Sequence, residues 1–279
     1  MKYLLIIAIL LTQIFAAQNM RFIYDYKFIP DSTDRSKIIK EIMFLDVTKD
    51  HSLFYSHRKF ALDSTLLAES KKGKFSLPSM DLTVLYQIEK IDGKIFLKTS
   101  EHDLGKVKIQ DRRTFNWHIL SDKEKVGTVN AQKAVTEFAG RKWIVWFATD
   151  IPIQEGPYKF YGLPGLIVKI EDTTGSHSMT IVGIANIAAD FVYPDFDNRN
   201  EKLITQQEFT KYYRNFRRDP AAGIRQQYIQ GSVLNHGDRH GNISTGFDAV
   251  KRVEKTLKDR LEKDNNIIEL DLLPVDKKH

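Results

Sequence analysis

Few residues in this chain have types and spacings that suit chemistry. His236, Asp238 and His240 put two imidazoles and a carboxylate at alternate positions. In an extended segment they share one side, a donor set that suits a metal. Arg239 between the imidazoles and the nearby Gly237 and Gly241 argue against that use, so no metal is expected. Glu101-His102-Asp103 is a similar, smaller cluster. Ser176-His177-Ser178 falls in an expected hairpin turn, where a catalytic serine needs a partner that the sequence does not identify. Glu171-Asp172 reads as a surface-turn pair, and nothing points to a glycosidase dyad. No Gly-x-Ser-x-Gly elbow and no His-Glu-x-x-His pattern occurs. The expectation is a protein that is not an enzyme, with no catalytic residue and no cofactor.

The elements that would position such residues are mostly strands. Phe22, Tyr24, Tyr26 and Phe28 alternate with polar and aliphatic residues, a period of two with an aromatic inner face. Residues 37–47 and 52–57 read as further strands. Residues 83–91 and 94–99 flank Asp92-Gly93, a strong type I′ hairpin signal. From Thr114 to Leu120 the alternation returns, with Phe115, Trp117 and Ile119 on one face. Arg141 to Ala148 is apolar on both sides after its first two residues, as a central covered strand would be. Trp143, Val145 and Phe147 are expected in the core, with Trp146 at least partly buried. Strands at 166–171 and 179–184 then flank Asp172–Ser176, a second hairpin.

After about Pro194 the period changes to that of helices. Thr205 and Glu208 form a capping box ahead of Phe209, Tyr212, Tyr213 and Phe216, and Asp219-Pro220 ends that helix. A second helix is expected over about 248–263, with Val250, Val253, Leu257 and Leu261 as its stripe. The predicted fold is a β-rich α+β protein: a curved antiparallel sheet or half-barrel followed by C-terminal helices. Its parts would be a β body over 18–190 and a helical part over 191–279 packed on the sheet.

Composition bounds the setting. The chain has 279 residues, 42% hydrophobic, with formal net charge +6 and no cysteine. Acids are interleaved with the basic runs, so these read as solvated faces and no nucleic acid is expected. Met1-Lys2, the apolar stretch from Tyr3 to Leu11 and the small residues near Ala17 have the layout of a secretory signal peptide over 1–17. No other apolar stretch is long enough to span a membrane. The mature product is expected in the periplasm or outside the cell. Without cysteine it has no disulfides, so its core alone must hold it.

The most patterned segment carries almost no reactive groups. It runs Gly156, Pro157, Tyr158, Lys159, Phe160, Tyr161, Gly162, Leu163, Pro164, Gly165, Leu166, Ile167. Pro157 and Pro164 fix φ and remove donors, and the glycines allow backbone shapes closed to other residues. The expected structure is a shaped crossover that caps the core with Tyr158, Phe160 and Leu163. On that reading Lys159→Ala and Tyr161→Phe should hardly change stability. The other reading is a rigid loop presenting Tyr158, Lys159 and Tyr161 to a ligand or partner.

The run Ala134–Asp172 resembles the GLPGLI family of exported proteins of Gram-negative bacteria. The likeness rests on the strand Gly140, Arg141, Lys142, Trp143, on the turn Ile151-Pro152-Ile153, and on the block Gly156–Ile167. The opening aromatic strand and the late Asn266-Ile267-Ile268-Glu269-Leu270 also resemble the family's ends. The chain has Glu137-Phe138 where some relatives carry a cysteine, so no thiol chemistry follows. The resemblance implies a signal peptide, a β-rich body and a cell-envelope location, and its name records a string of residues and not an activity. Three functions follow for testing: an envelope protein binding an outer-membrane or periplasmic partner, a periplasmic carrier of an apolar ligand, and a hydrolase of unknown class.

Overall fold

The computed structural model describes residues 19–73, 82–101, 104–197, 199–232, 235–237 (backbone) and 243–274. The expected signal peptide, His102, Asp103, Asp238 and His240 lie outside them, as does the His236 side chain.

The body is a twelve-stranded sheet. Its strands are β1 (Met20–Phe28), β2 (Ile39–Val47), β3 (His51–Ser56), β4 (Gln87–Ile91), β5 (Lys94–Glu101), β6 (Gly105–Asp111), β7 (His118–Val126), β8 (Val129–Phe138), β9 (Arg141–Ala148), β10 (Leu166–Asp172), β11 (His177–Asn186) and β12 (Lys202–Thr205). They lie in the order β12-β6-β5-β4-β3-β2-β1-β11-β10-β9-β8-β7. Neighbours are antiparallel except β12, which runs parallel to β6. The sheet is open, because its edges β12 and β7 do not meet.

The described residues include four helices: α1 (His57–Ser70), α2 (Gln206–Arg218), α3 (Ala222–Ile229) and α4 (Gly246–Glu262). The β-rich expectation therefore holds, but the placement of helices needs correction. Helix α1 lies inside the sheet sequence, between β3 and β4. The segment after residue 190 also returns a strand, β12, to the sheet. No helix among the described residues is long and apolar enough to cross a membrane.

Local chemistry explains most elements. Strand β1 buries Phe22, Tyr24 and Tyr26 on one side. Asp92 and Gly93 both take positive φ, +51° and +68°, as a type I′ turn requires. The Thr205–Glu208 capping box forms in both directions and starts α2. Helix α1 starts where the Ser56 side chain accepts from the Lys59 N–H.

One strand begins later than its alternation suggested. Residues 112–117 are irregular, because the Asp111 carboxylate takes the Arg113 backbone N–H that a ladder would use. Phe115 and Trp117 still pack inward, on Phe138 and Phe160, from a loop. Ile119 is about half exposed, at 49%.

The main core lies on the sheet face that carries Phe22, Tyr24, Tyr26, Trp143, Val145 and Phe147. It is covered by the loop from 149 to 165, by α2 through Phe209, and by a tail segment through Leu272. A smaller cluster of Phe44, Leu53 and Tyr55 packs with Phe60 of α1 and with Tyr193. Trp146 is buried as well.

Candidate functional site

The patterned loop is a structural cover with one charged side chain driven inward. Tyr158 has positive φ (+55°), which turns the chain so that Tyr158, Lys159 and Phe160 are all buried. Gly162 has φ +88°. A side chain at Gly165 would place its Cβ 2.1 Å from the Ala148 carbonyl oxygen, so only glycine fits against β9. Leu163, Leu166 and Ile167 complete the core layer, while Pro157 and Pro164 shape the turns around it. Trp117 donates its indole N–H to the Tyr161 carbonyl at 2.9 Å.

Lys159 corrects the expectation of a dispensable side chain. It is 1% exposed. Its Nζ lies 2.7 Å from Asp111 Oδ2 and 2.5 Å from Glu269 Oε1. Tyr158 donates to the same Glu269 oxygen at 2.5 Å. Arg113 closes the group, forking onto Asp111 and reaching Glu269 Oε2 at 2.6 Å and Asp271 Oδ2 at 2.9 Å. Burial alone would raise the Glu269 carboxyl, but the Lys159 and Arg113 charges outweigh it and hold Glu269 below its ordinary range. Asp111 is held far down by the same balance, with Arg113 and Lys159 outweighing burial. The network joins β6, the patterned loop and the chain's tail.

A second buried network ties the other end of the tail. Arg141 meets Asp172 at 2.9 Å and donates to Asn266 Oδ1 and to the Ile267 carbonyl, both at 2.7 Å. Asp172 also accepts the backbone N–H groups of Ser176 and His177, at 2.7 Å each. The surface-turn reading of Glu171-Asp172 is thus corrected for Asp172, which is 2% exposed because it organises the hairpin from inside. His177 opens β11 and is buried. Its Nε2 lies 2.8 Å from the Asn266 carbonyl, which can only accept, so that nitrogen carries the proton. Nδ1 therefore accepts from the Tyr26 hydroxyl at 2.8 Å. Burial and the neighbouring Arg141 push the imidazole down to about 4.

A third buried cation, Lys90 of β4, pairs with Glu155 at 2.6 Å and donates to the carbonyls of Gly156 and Phe160. Burial lowers its ammonium from the ordinary range against the pull of Glu155.

Between these networks lies a cavity of about 200 Å³. Tyr26 and Phe28 of β1, Tyr86, Leu97 of β5, Phe209 and Tyr213 of α2 form its apolar walls. Three acids, Glu101, Asp264 and Glu269, line it, and among the described residues no Lys or Arg does. Burial raises Glu101 to about 7, against one hydrogen bond from Thr99. Burial likewise raises Asp264, although Arg217 approaches it to 3.6 Å. The Tyr86 hydroxyl is sealed from solvent and forms no well-aligned hydrogen bond among the described residues. The Tyr26 hydroxyl is its neighbour and interacts with it, but the Tyr26 proton is given to His177.

Of the patterned loop only Tyr158 reaches this cavity, while Glu101 and His177, noted in the sequence for other chemistry, line it too. Arg141 belongs to the hairpin network, and Trp143 donates to the Phe138 carbonyl in the core. Among the described residues no three His, Asp or Glu side chains gather at metal-ligating distances. Glu101 was flagged only as part of a His-centred cluster. Asp264, Tyr86 and Lys90 gave no sequence signal, because a single polar residue in an ordinary segment does not reveal its burial.

A family model described as "Protein of unknown function (Porph_ging)" matches residues 106–169. That span runs from β6 through the patterned loop into β10. No curated protein matches the chain. Among solved structures the chain is similar to PNGF-II in two crystal forms, C2 and P21, at 18% identity and TM-score 0.49. The alignments cover 70% of this chain and 32% and 33% of those chains, so this protein spans about a third of their length. A likeness at that level assigns neither activity nor ligand.

Proposed function

We propose that this chain is an exported cell-envelope protein of GLPGLI type that binds a small ligand or a protein partner and catalyses no reaction. The observation that supports binding over catalysis is the state of the cavity's imidazole. Both ring nitrogens of His177 are committed, one to Asn266 and one to Tyr26, and the ring is held neutral in the core. A general base needs a free, accessible nitrogen near a reacting atom. The cavity has instead the character of a small binding pocket, with apolar walls and a few polar groups. An acyl-chain carrier is the weaker reading. The loop, α2 and the tail fill the face on which such a chain would lie. The remaining cavity of about 200 Å³ is below the roughly 300–1,000 Å³ of drug-sized sites.

Export rests on the first seventeen residues. Cell fractionation with N-terminal sequencing tests it: the mature protein should leave the cytoplasm and begin near Gln18. Cytoplasmic protein with its N-terminus intact overturns the export half of the proposal. Cross-linking in intact envelopes tests for a partner.

A further inference from the structure

We propose that the cavity between β1, β5, α2 and the tail takes a small organic cation, a protonated primary amine on an apolar group, with Glu101 as its counter-charge. This deepens the binding reading above and rests on it.

The first observation is an imbalance of charge. Three carboxylates line the cavity, and among the described residues no Lys or Arg lies in its wall. Glu269 is not free, because Lys159, Arg113 and Tyr158 occupy it from behind. Asp264 is partly answered by Arg217. Glu101 has the hydroxyl of Thr99, at 3.4 Å, as its partner among the described residues. A carboxylate removed from water without a cation is strongly disfavoured, and a ligand ammonium would relieve that state.

The second observation is independent of the acids. The Tyr86 hydroxyl is buried, lines the cavity and, with Tyr26 beside it already donating to His177, forms no well-aligned hydrogen bond among the described residues. Leaving such a group unbonded costs free energy that a ligand donor recovers. An ammonium offers three donors and needs acceptors. Carboxylate and phenol oxygens are acceptors of that kind.

The third observation is the shape of the walls. Phe28, Phe209 and Tyr213 line the cavity together with the carboxylates, and Tyr213 feels the charge of both Glu101 and Asp264. Aromatic faces favour cations and disfavour anions. The volume suits a single ring with a short arm. A ligand with a carboxylate of its own would face three acids and is excluded.

The test uses the full folded chain and three probes of matched shape: 2-phenylethylamine, 2-phenylethanol and 3-phenylpropionate. Binding is read by calorimetry and by chemical-shift perturbation. The amine is expected to bind about tenfold or more tightly than the alcohol, as a charge-assisted hydrogen bond predicts. The carboxylate is expected not to bind. Glu101→Gln should remove the amine's advantage while leaving alcohol binding intact, and Tyr86→Phe should weaken the amine several-fold. Equal binding of amine and alcohol, or an unchanged amine affinity in Glu101→Gln, overturns the cation assignment and leaves the pocket reading standing. Failure of both amine and alcohol to perturb cavity residues overturns both.

Discussion

Glu269 and Glu101 are carboxylates of one type that line one cavity, the first fully buried and the second partly so. Their ionisation moves in opposite directions. Glu269 sits among Lys159, Arg113 and Tyr158 and is held ionised. Among the described residues Glu101 has only a neighbouring hydroxyl as partner, and it is raised to about 7. Burial is common to both, so the partner cation decides the sign. The difference separates a carboxylate bound into a charged network from one that meets no cation among the described residues.

The contrast predicts its largest effect at Lys159. Lys159→Ala strands Asp111 and Glu269 in the core, and removing one member of a buried pair costs about 3–5 kcal/mol. Denaturant unfolding measures it. A loss below about 1 kcal/mol, the range of surface changes, would mean that the ionic network contributes little and that Glu269 resembles Glu101 after all.

The opposite arm is Glu101. Its folded-state value near 7 exceeds its usual 4.5, so the folded protein binds the extra proton between those limits. Its contribution to stability is full below about pH 4.5 and is lost as pH rises through 7. Glu101→Gln should therefore gain on the parent protein by roughly 1–3 kcal/mol as pH is raised from 4.5 to 7.5. Parallel stability curves for the two proteins would remove the distinction drawn here.

Two changes in the patterned loop sharpen the picture at lower cost. Gly165→Ala forces a methyl group onto the Ala148 carbonyl and should cost about 1–3 kcal/mol, as overpacking does. Thermal melts of the variant at neutral pH measure it. Tyr161→Phe alters a half-buried residue whose carbonyl, not its hydroxyl, is used by Trp117, and should stay within about 0.5 kcal/mol. A larger loss on unfolding would reveal a role for that hydroxyl.

Several elements were legible before any coordinates. The aromatic alternation of β1, the Asp92-Gly93 turn, the covered strand β9 and the Thr205–Glu208 cap are local patterns with local causes. Helix α1 was not legible, since Asp63 is its one fully buried residue and no apolar stripe announces it. Its start was visible only as Ser56, a capping residue inside what reads as a strand. Residues 114–117 misled for the converse reason: their aromatic alternation is real, but Asp111 turns the backbone out of the ladder.

The sequence by itself determined the strand content, the tight turns, the loop's reliance on glycine and proline, and the helical period near the C-terminus. Those depend on residues close together in the chain. It suggested importance for the Asn266–Leu270 segment only through resemblance. Tertiary structure alone decided that Lys159 is buried, that Glu269 returns across 110 positions to meet it, and that Glu101 meets no cation among the described residues. A charge's fate depends on what the fold brings beside it, and residues far apart in the chain carry no local mark of that meeting.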